Sequence, residues 1–164
     1  MNITTDKAQP ALFGGLIVGV LSALPIISAA NLCCCLWVVS GGAMAAYLLQ
    51  HNQSTPITPG DGAVVGLLAG IVGAFVYLVL SIPITVLVAP MERVLMQRII
   101  ENGQMPPEFR EYVGTYARGA VRLTLGFIFM LTAGSIFSTL GGIVGAVVFV
   151  KRLPPGTIDV PTSA

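Results

Sequence analysis

Charge is scarce in this chain: only 9% of its 164 residues are Asp, Glu, Lys or Arg, against about 25% in an ordinary soluble domain. With 55% of residues hydrophobic, there is too little polar side chain to cover a solvated surface, and the composition predicts an integral membrane protein. A net charge of +1, with no basic stripe and no aromatics interleaved among cations, excludes nucleic acid as an expected partner. Histidine occurs once, at His51, and the three cysteines are adjacent, at Cys33, Cys34 and Cys35. No carboxylate pair, nucleophile with a matching base, phosphate-binding loop or dinucleotide fingerprint is present. The chain is therefore expected to have no catalytic residues, no enzymatic activity and no cofactor. The cores of the expected spans also lack ionisable side chains, whereas ion-coupled transporters place such groups there, which speaks against a proton- or sodium-driven pump.

What the chain has instead is long apolar runs and 19 glycines. The first run, from Ala11 to Leu49, would be about 58 Å long as one helix, nearly twice a bilayer's hydrocarbon thickness. It must fold back, and its strong breakers, Pro25 and Asn31, place a membrane hairpin turn between them. The run Asn31-Leu32-Cys33-Cys34-Cys35-Leu36-Trp37 then opens the returning helix. The predicted fold class is an all-α membrane protein with four transmembrane helices arranged as two hairpins, over residues 11–28, 32–50, 62–83 and 123–150. These form one domain over 11–152, flanked by a mobile N-terminal tail (1–10) and a disordered C-terminal tail (153–164). Pro83 should kink or end the third span. Most of the charge lies from Pro90 to Arg122, and an interfacial amphipathic helix is expected within 90–118, between spans three and four. A partner-binding helix would have the same pattern.

Small residues recur about every four positions, placing them on one helix face where two backbones can approach. The candidate packing residues are Gly15 and Gly19 on the first span and Gly41 and Gly42 on the second. On the third they are Gly62, Gly66 and Gly70, with Gly73 one turn further along. On the fourth they are Gly134, Ser138 and Gly142, with Gly141 and Gly145 beside them. Asn31, Ser40, Tyr47, Tyr77, Ser81, Thr132, Ser135 and Ser138 are candidates for hydrogen bonds between helices. Trp37 is expected near the interface with its indole N–H wet.

Two sites could carry other chemistry. Consecutive helical side chains point 100° apart, so Cys33, Cys34 and Cys35 cannot converge on one metal, and neighbouring cysteines form a disulfide only with strain. They read as small packing residues, with metal binding between subunits, lipidation or redox sensing as alternatives. His51, at a helix end beside a polar loop, reads as a solvated histidine, with axial ligation of a haem or chlorophyll as the alternative.

Two fragments resemble one another, Leu21-Ser22-Ala23-Leu24-Pro25-Ile26 and Leu80-Ser81-Ile82-Pro83-Ile84, as do Ser40-Gly41-Gly42-Ala43 and Leu140-Gly141-Gly142-Ile143. They suggest a repeat, two hairpins of the same orientation. With four spans, Lys7, Lys151 and Arg152 share one side, and Arg93, Arg98, Arg110, Arg118 and Arg122 the other. The positive-inside rule then favours a cytoplasmic 90–122 loop and external termini. Lys7, the apolar run and Ser28-x-Ala30 also admit a signal peptide cleaved after Ala30, which would leave three spans.

The cysteine-tryptophan run followed by Gly41-Gly42, the glycine-rich third span and the amphipathic segment before the fourth together resemble small four-span membrane proteins of bacterial genomes. That resemblance covers most of the chain and implies a location in the bacterial inner membrane, but no activity. The expected function is a structural or accessory subunit, with the lipid bilayer and other membrane-protein subunits, or the chain itself, as partners. Glycine strips in excess of what a small bundle could use internally motivate it. The alternatives are a passive channel or small-molecule carrier lined by hydroxyls and by backbone at Pro25 and Pro83, and a pigment- or haem-binding subunit.

Overall fold

A computed structural model describes residues 3–24, 36–101 and 119–151 of the chain. They form four helices: α1 (Ile3–Ala23), α2 (Leu36–Asn52), α3 (Pro59–Glu101) and α4 (Gly119–Val148). The protein is all-α among the described residues, and two helices, over Pro59–Met91 and Ala120–Val148, are long and apolar enough to cross a membrane. The apolar part of α1, Lys7–Ala23, is shorter. The expected turn between Pro25 and Asn31, the cysteines at 33–35, residues 102–118 of the amphipathic segment and the tail at 153–164 lie outside the described residues.

Two helices, α1 and α3, are longer than the spans expected from the sequence. α1 begins at Ile3 rather than Ala11, so the stretch expected to be a mobile tail is helical from its third residue. That stretch is tied down, because Pro10 is fully buried and Lys7 is paired with Asp61, and tethered termini order. α3 runs through both Pro83 and Pro90 without ending. Each proline removes one backbone bond and crowds the preceding turn, and α3 keeps its helical course on either side of both. The stretch from Pro90 to Glu101 is accordingly a continuation of α3.

Helix directions follow from which residues face each other. Gly15 faces Ala69 and Val72 of α3, and Gly19, one turn later, faces Gly73 and Val76. The partner numbers rise together, so α1 and α3 are parallel. Val39 and Ala43 of α2 face Gly141 and Gly145 of α4, which makes that pair parallel too. Numbers run oppositely where Gly14 meets Ala45 and Gly41 meets Val18, and where Gly62, Gly66 and Gly70 meet Gly142, Ser138 and Ser135. α1/α2 and α3/α4 are therefore antiparallel pairs laid side by side in the same orientation. α2 and α3 also touch each other, while α1 and α4 flank that pair from opposite sides.

The interior is built of small side chains. Ala45, Ala46, Ala69, Ala74 and Ala146 are buried, and Leu49, Val18, Val65, Pro10 and Ser138 are the largest fully buried residues. Leu12, Phe75, Val79, Leu125, Ile128, Phe129, Val144 and Val147 face outward. This inverts a water-soluble bundle, where Leu, Ile and Phe fill the centre. In the most apolar stretches of the two helices long enough to cross a membrane, only 33% and 28% of the residues are buried within the bundle, whereas a core helix of a soluble protein would be mostly covered.

Glycine is required where backbones meet. A β-carbon at Gly42 or Gly66 would overlap the carbonyl oxygen of Ser138, and one at Gly142 would overlap that of Gly62. Gly134 differs: its own β-carbon would meet Met130 Cε at 3.6 Å, an ordinary contact, although its carbonyl oxygen lies 2.8 Å from where a β-carbon of Gly70 would be. Gly42→Ala and Gly66→Ala should each destabilise by about 1–3 kcal/mol, the usual effect of overpacking. Gly134→Ala should match the parent within about 1 kcal/mol, since alanine favours the helix. Denaturation in mild detergent micelles measures all three, and equal losses would contradict these packing directions.

Candidate functional site

Two places concentrate the features that sequence reasoning singled out: the small-residue crossing inside the bundle and the polar end where the α2–α3 loop lies. At the crossing, Gly42 of α2, Gly62 and Gly66 of α3, and Ser138 and Gly142 of α4 come together. Ser138 is fully buried, and among the described residues its Oγ has no hydrogen-bond partner. Gly15, Gly19 and Gly41 pack separately, along α1: the first two against Val72 and Val76 of α3, the third against Val18. In return, Gly73 of α3 receives Val18. This is a backbone-to-backbone contact zone.

The packing set is larger than the strongest spacing pattern indicated. Gly14, adjacent to Gly15, turns the other way and meets Ala45 and Gly41 of α2. A second glycine beside the first, giving α1 two contact faces, was the available signal. Gly126 lies against Tyr77, whose Oη is 2.8 Å from where a β-carbon would stand. Nothing in its spacing distinguishes it.

Two of the hydroxyls expected to bond between helices, those of Ser40 and Thr132, bond within their own helix instead. Ser40 Oγ donates to Trp37 O at 2.9 Å, and Thr132 Oγ1 donates to Ile128 O at 2.9 Å, both within their own helix. The carbonyl one turn back is the nearest acceptor in an apolar surrounding, so a short hydroxyl side chain satisfies itself there. Trp37 also departs from expectation: its Nε1 is buried and, among the described residues, has no hydrogen-bond partner.

The polar end is closed by a set of local bonds. Thr58 caps α3: Asp61 N donates to Thr58 Oγ1 at 3.1 Å, while Asp61 Oδ2 accepts from Thr58 N at 3.1 Å and from Thr58 Oγ1 at 2.7 Å. This reciprocal arrangement is a capping box, with Pro59 in the first helical position, where its missing N–H costs nothing. The run Thr58-Pro59-Gly60-Asp61 carried that signal. Gln50, almost fully buried, holds the loop from inside, accepting from Ile57 N at 2.9 Å and donating to Thr55 O at 3.1 Å.

Asp61 Oδ1 also pairs with Lys7 Nζ at 2.6 Å, joining the N-terminal parts of α1 and α3. Lys151 Nζ donates to Gln53 O at 2.7 Å, bringing the end of α4 to the same place. Asp61 lies in the first turn of α3, at the end where the α2–α3 loop lies. Its carboxyl is lowered to about 2, chiefly because Lys7 donates to it, then by the Thr58 hydroxyl, with partial burial opposing.

His51 is exposed, in the last turn of α2. Its ring centroid is 6.3 Å from that of Tyr47, which in turn meets Phe149 edge-on at 5.1 Å. The ring belongs to a surface aromatic cluster. Among the described residues no three His, Cys, Asp or Glu side chains are grouped to hold a metal ion. An apolar groove of about 340 Å³ lies between α1 and α3, lined by Leu16, Val20, Phe75, Val76, Val79 and Leu80. It has no polar atom with which to orient a reacting group.

Because the folded-state carboxyl of Asp61 titrates below its ordinary value, the bond to Lys7 contributes stability throughout neutral pH. That contribution is lost as pH falls from about 4 to about 2. Asp61→Asn should remove the acid-sensitive step in this window and lower stability at pH 7 by about 1 kcal/mol through the weakened cap and pair. Thermal unfolding in detergent at graded pH measures it, and an unchanged acid profile in the variant would place the sensitivity elsewhere. Compared with protein-family models, curated proteins and solved structures, the chain matches none of them.

Proposed function

We propose that the protein is an integral membrane protein without catalytic chemistry of its own, a structural or accessory subunit whose outer surface meets lipid and other membrane-protein subunits or further copies of itself. The observation that carries this reading is the contrast between centre and surface. At the centre, Gly42, Gly66, Ser138 and Gly142 are in backbone contact. Outside, Phe75, Val79, Phe129 and Val147 are more than half exposed, on a scale that marks contact with membrane or partners. A bundle closed at its centre has little to offer a solute, which sets the subunit reading above the channel or carrier.

The reason for expecting partners changes in one respect. Glycine strips were the sequence motive for assembly, yet Gly15, Gly19, Gly41, Gly42, Gly62, Gly66 and Gly70 all have neighbours inside this one chain. Assembly then falls to the large apolar side chains, above all those on the far half of α3, where Val86, Leu87 and Met91 are 71%, 78% and 77% exposed.

In this reading all four helices cross the bilayer, with Lys7, the α2–α3 loop and Lys151 at the external face and the far end of α3 at the cytoplasmic face of an inner membrane. The apolar stretch of α3 covers 33 residues, about 50 Å of helix against about 30 Å of hydrocarbon. Tilt alone does not absorb that difference: at 40°, the top of the usual range, the stretch still rises about 38 Å. Residues beyond Pro83 are therefore assigned to the interface. Met91, Val94 and Leu95 supply apolar contacts there, and the exposed Gln97 and Arg98 supply polar ones.

Three measurements test the proposal. Native mass spectrometry or cross-linking in mild detergent should detect more than one chain or a co-purifying subunit, and a strictly monomeric protein without partners would overturn the subunit role. Proteoliposomes should show no solute flux above protein-free vesicles. Flux abolished by Gly66→Leu would instead support the carrier reading. Fluorophores attached at Leu87→Cys and Leu95→Cys should be quenched by headgroup-depth lipid quenchers more than by mid-bilayer ones, and the reverse order would contradict the interfacial assignment.

A further inference from the structure

We draw no further inference here: the strongest candidate, the wholly apolar groove between α1 and α3 lined by Leu16, Val20, Phe75, Val76, Val79 and Leu80, is an unpartnered apolar face, and nothing in the structure shows what covers it.

Discussion

The contact of α3 with α4 at Gly62, Gly66 and Gly142, and of α4 with α2 where Ser138 meets Gly42, is the constraint on which the rest of the bundle depends. Where a carbonyl oxygen occupies the place of a side chain, helix separation is set by backbone, and no repacking of neighbours can widen it cheaply. In the proposed membrane setting the attraction does not come from expelling water, since lipid tails are as apolar as leucine. Dispersion over closely fitted surfaces remains, and it falls off steeply with any gap. The small buried set of Ala45, Ala46, Ala69 and Ala146 follows from this, because larger side chains would hold the backbones apart. The large apolar side chains are displaced outward for the same reason.

Register along the helices is fixed separately, by the polar end. Lys7 and Asp61 join the starts of two parallel helices, Gln50 holds the intervening loop, and Lys151 returns to Gln53. A glycine face slid by one turn would present another glycine at nearly the same spacing, so the small-residue contacts alone specify register weakly. A few charge-assisted bonds at one end select among such registers. Glycine contacts thus set the distance between helices, and the polar end sets their vertical alignment.

Much of the architecture was legible because composition and spacing are local properties. The helical class, the pairing of Gly15 and Gly19 on one face, and the Gly62, Gly66, Gly70 strip all follow from a period near four residues. Other features were not legible for physical reasons. The direction in which a glycine faces depends on the rotation of its helix, so Gly134 has the same spacing as Ser138 and Gly142 yet has room beside it. Pro83 and Pro90 each remove a single backbone bond, and α3 continues through both because continuing keeps the other bonds of the helix. Lys7 and Asp61 are 54 positions apart, and no local pattern links them. Of the sites with possible chemistry, His51 lies beside Tyr47 in the last turn of α2, while Cys33, Cys34 and Cys35 lie outside the described residues.

The central claim is an inverted bundle, with small residues and backbone inside and large apolar side chains turned to lipid. Methyl NMR of the protein in bicelles tests it most directly, using a nitroxide carried on the lipid acyl chain and, separately, a water-soluble paramagnetic agent. The account predicts that Leu12, Val79, Val144 and Val147 broaden with the acyl-chain nitroxide alone, while Ala45, Ala69 and Ala146 respond to neither. Broadening of the outer methyls by the water-soluble agent, or of the buried alanines by either, would contradict it.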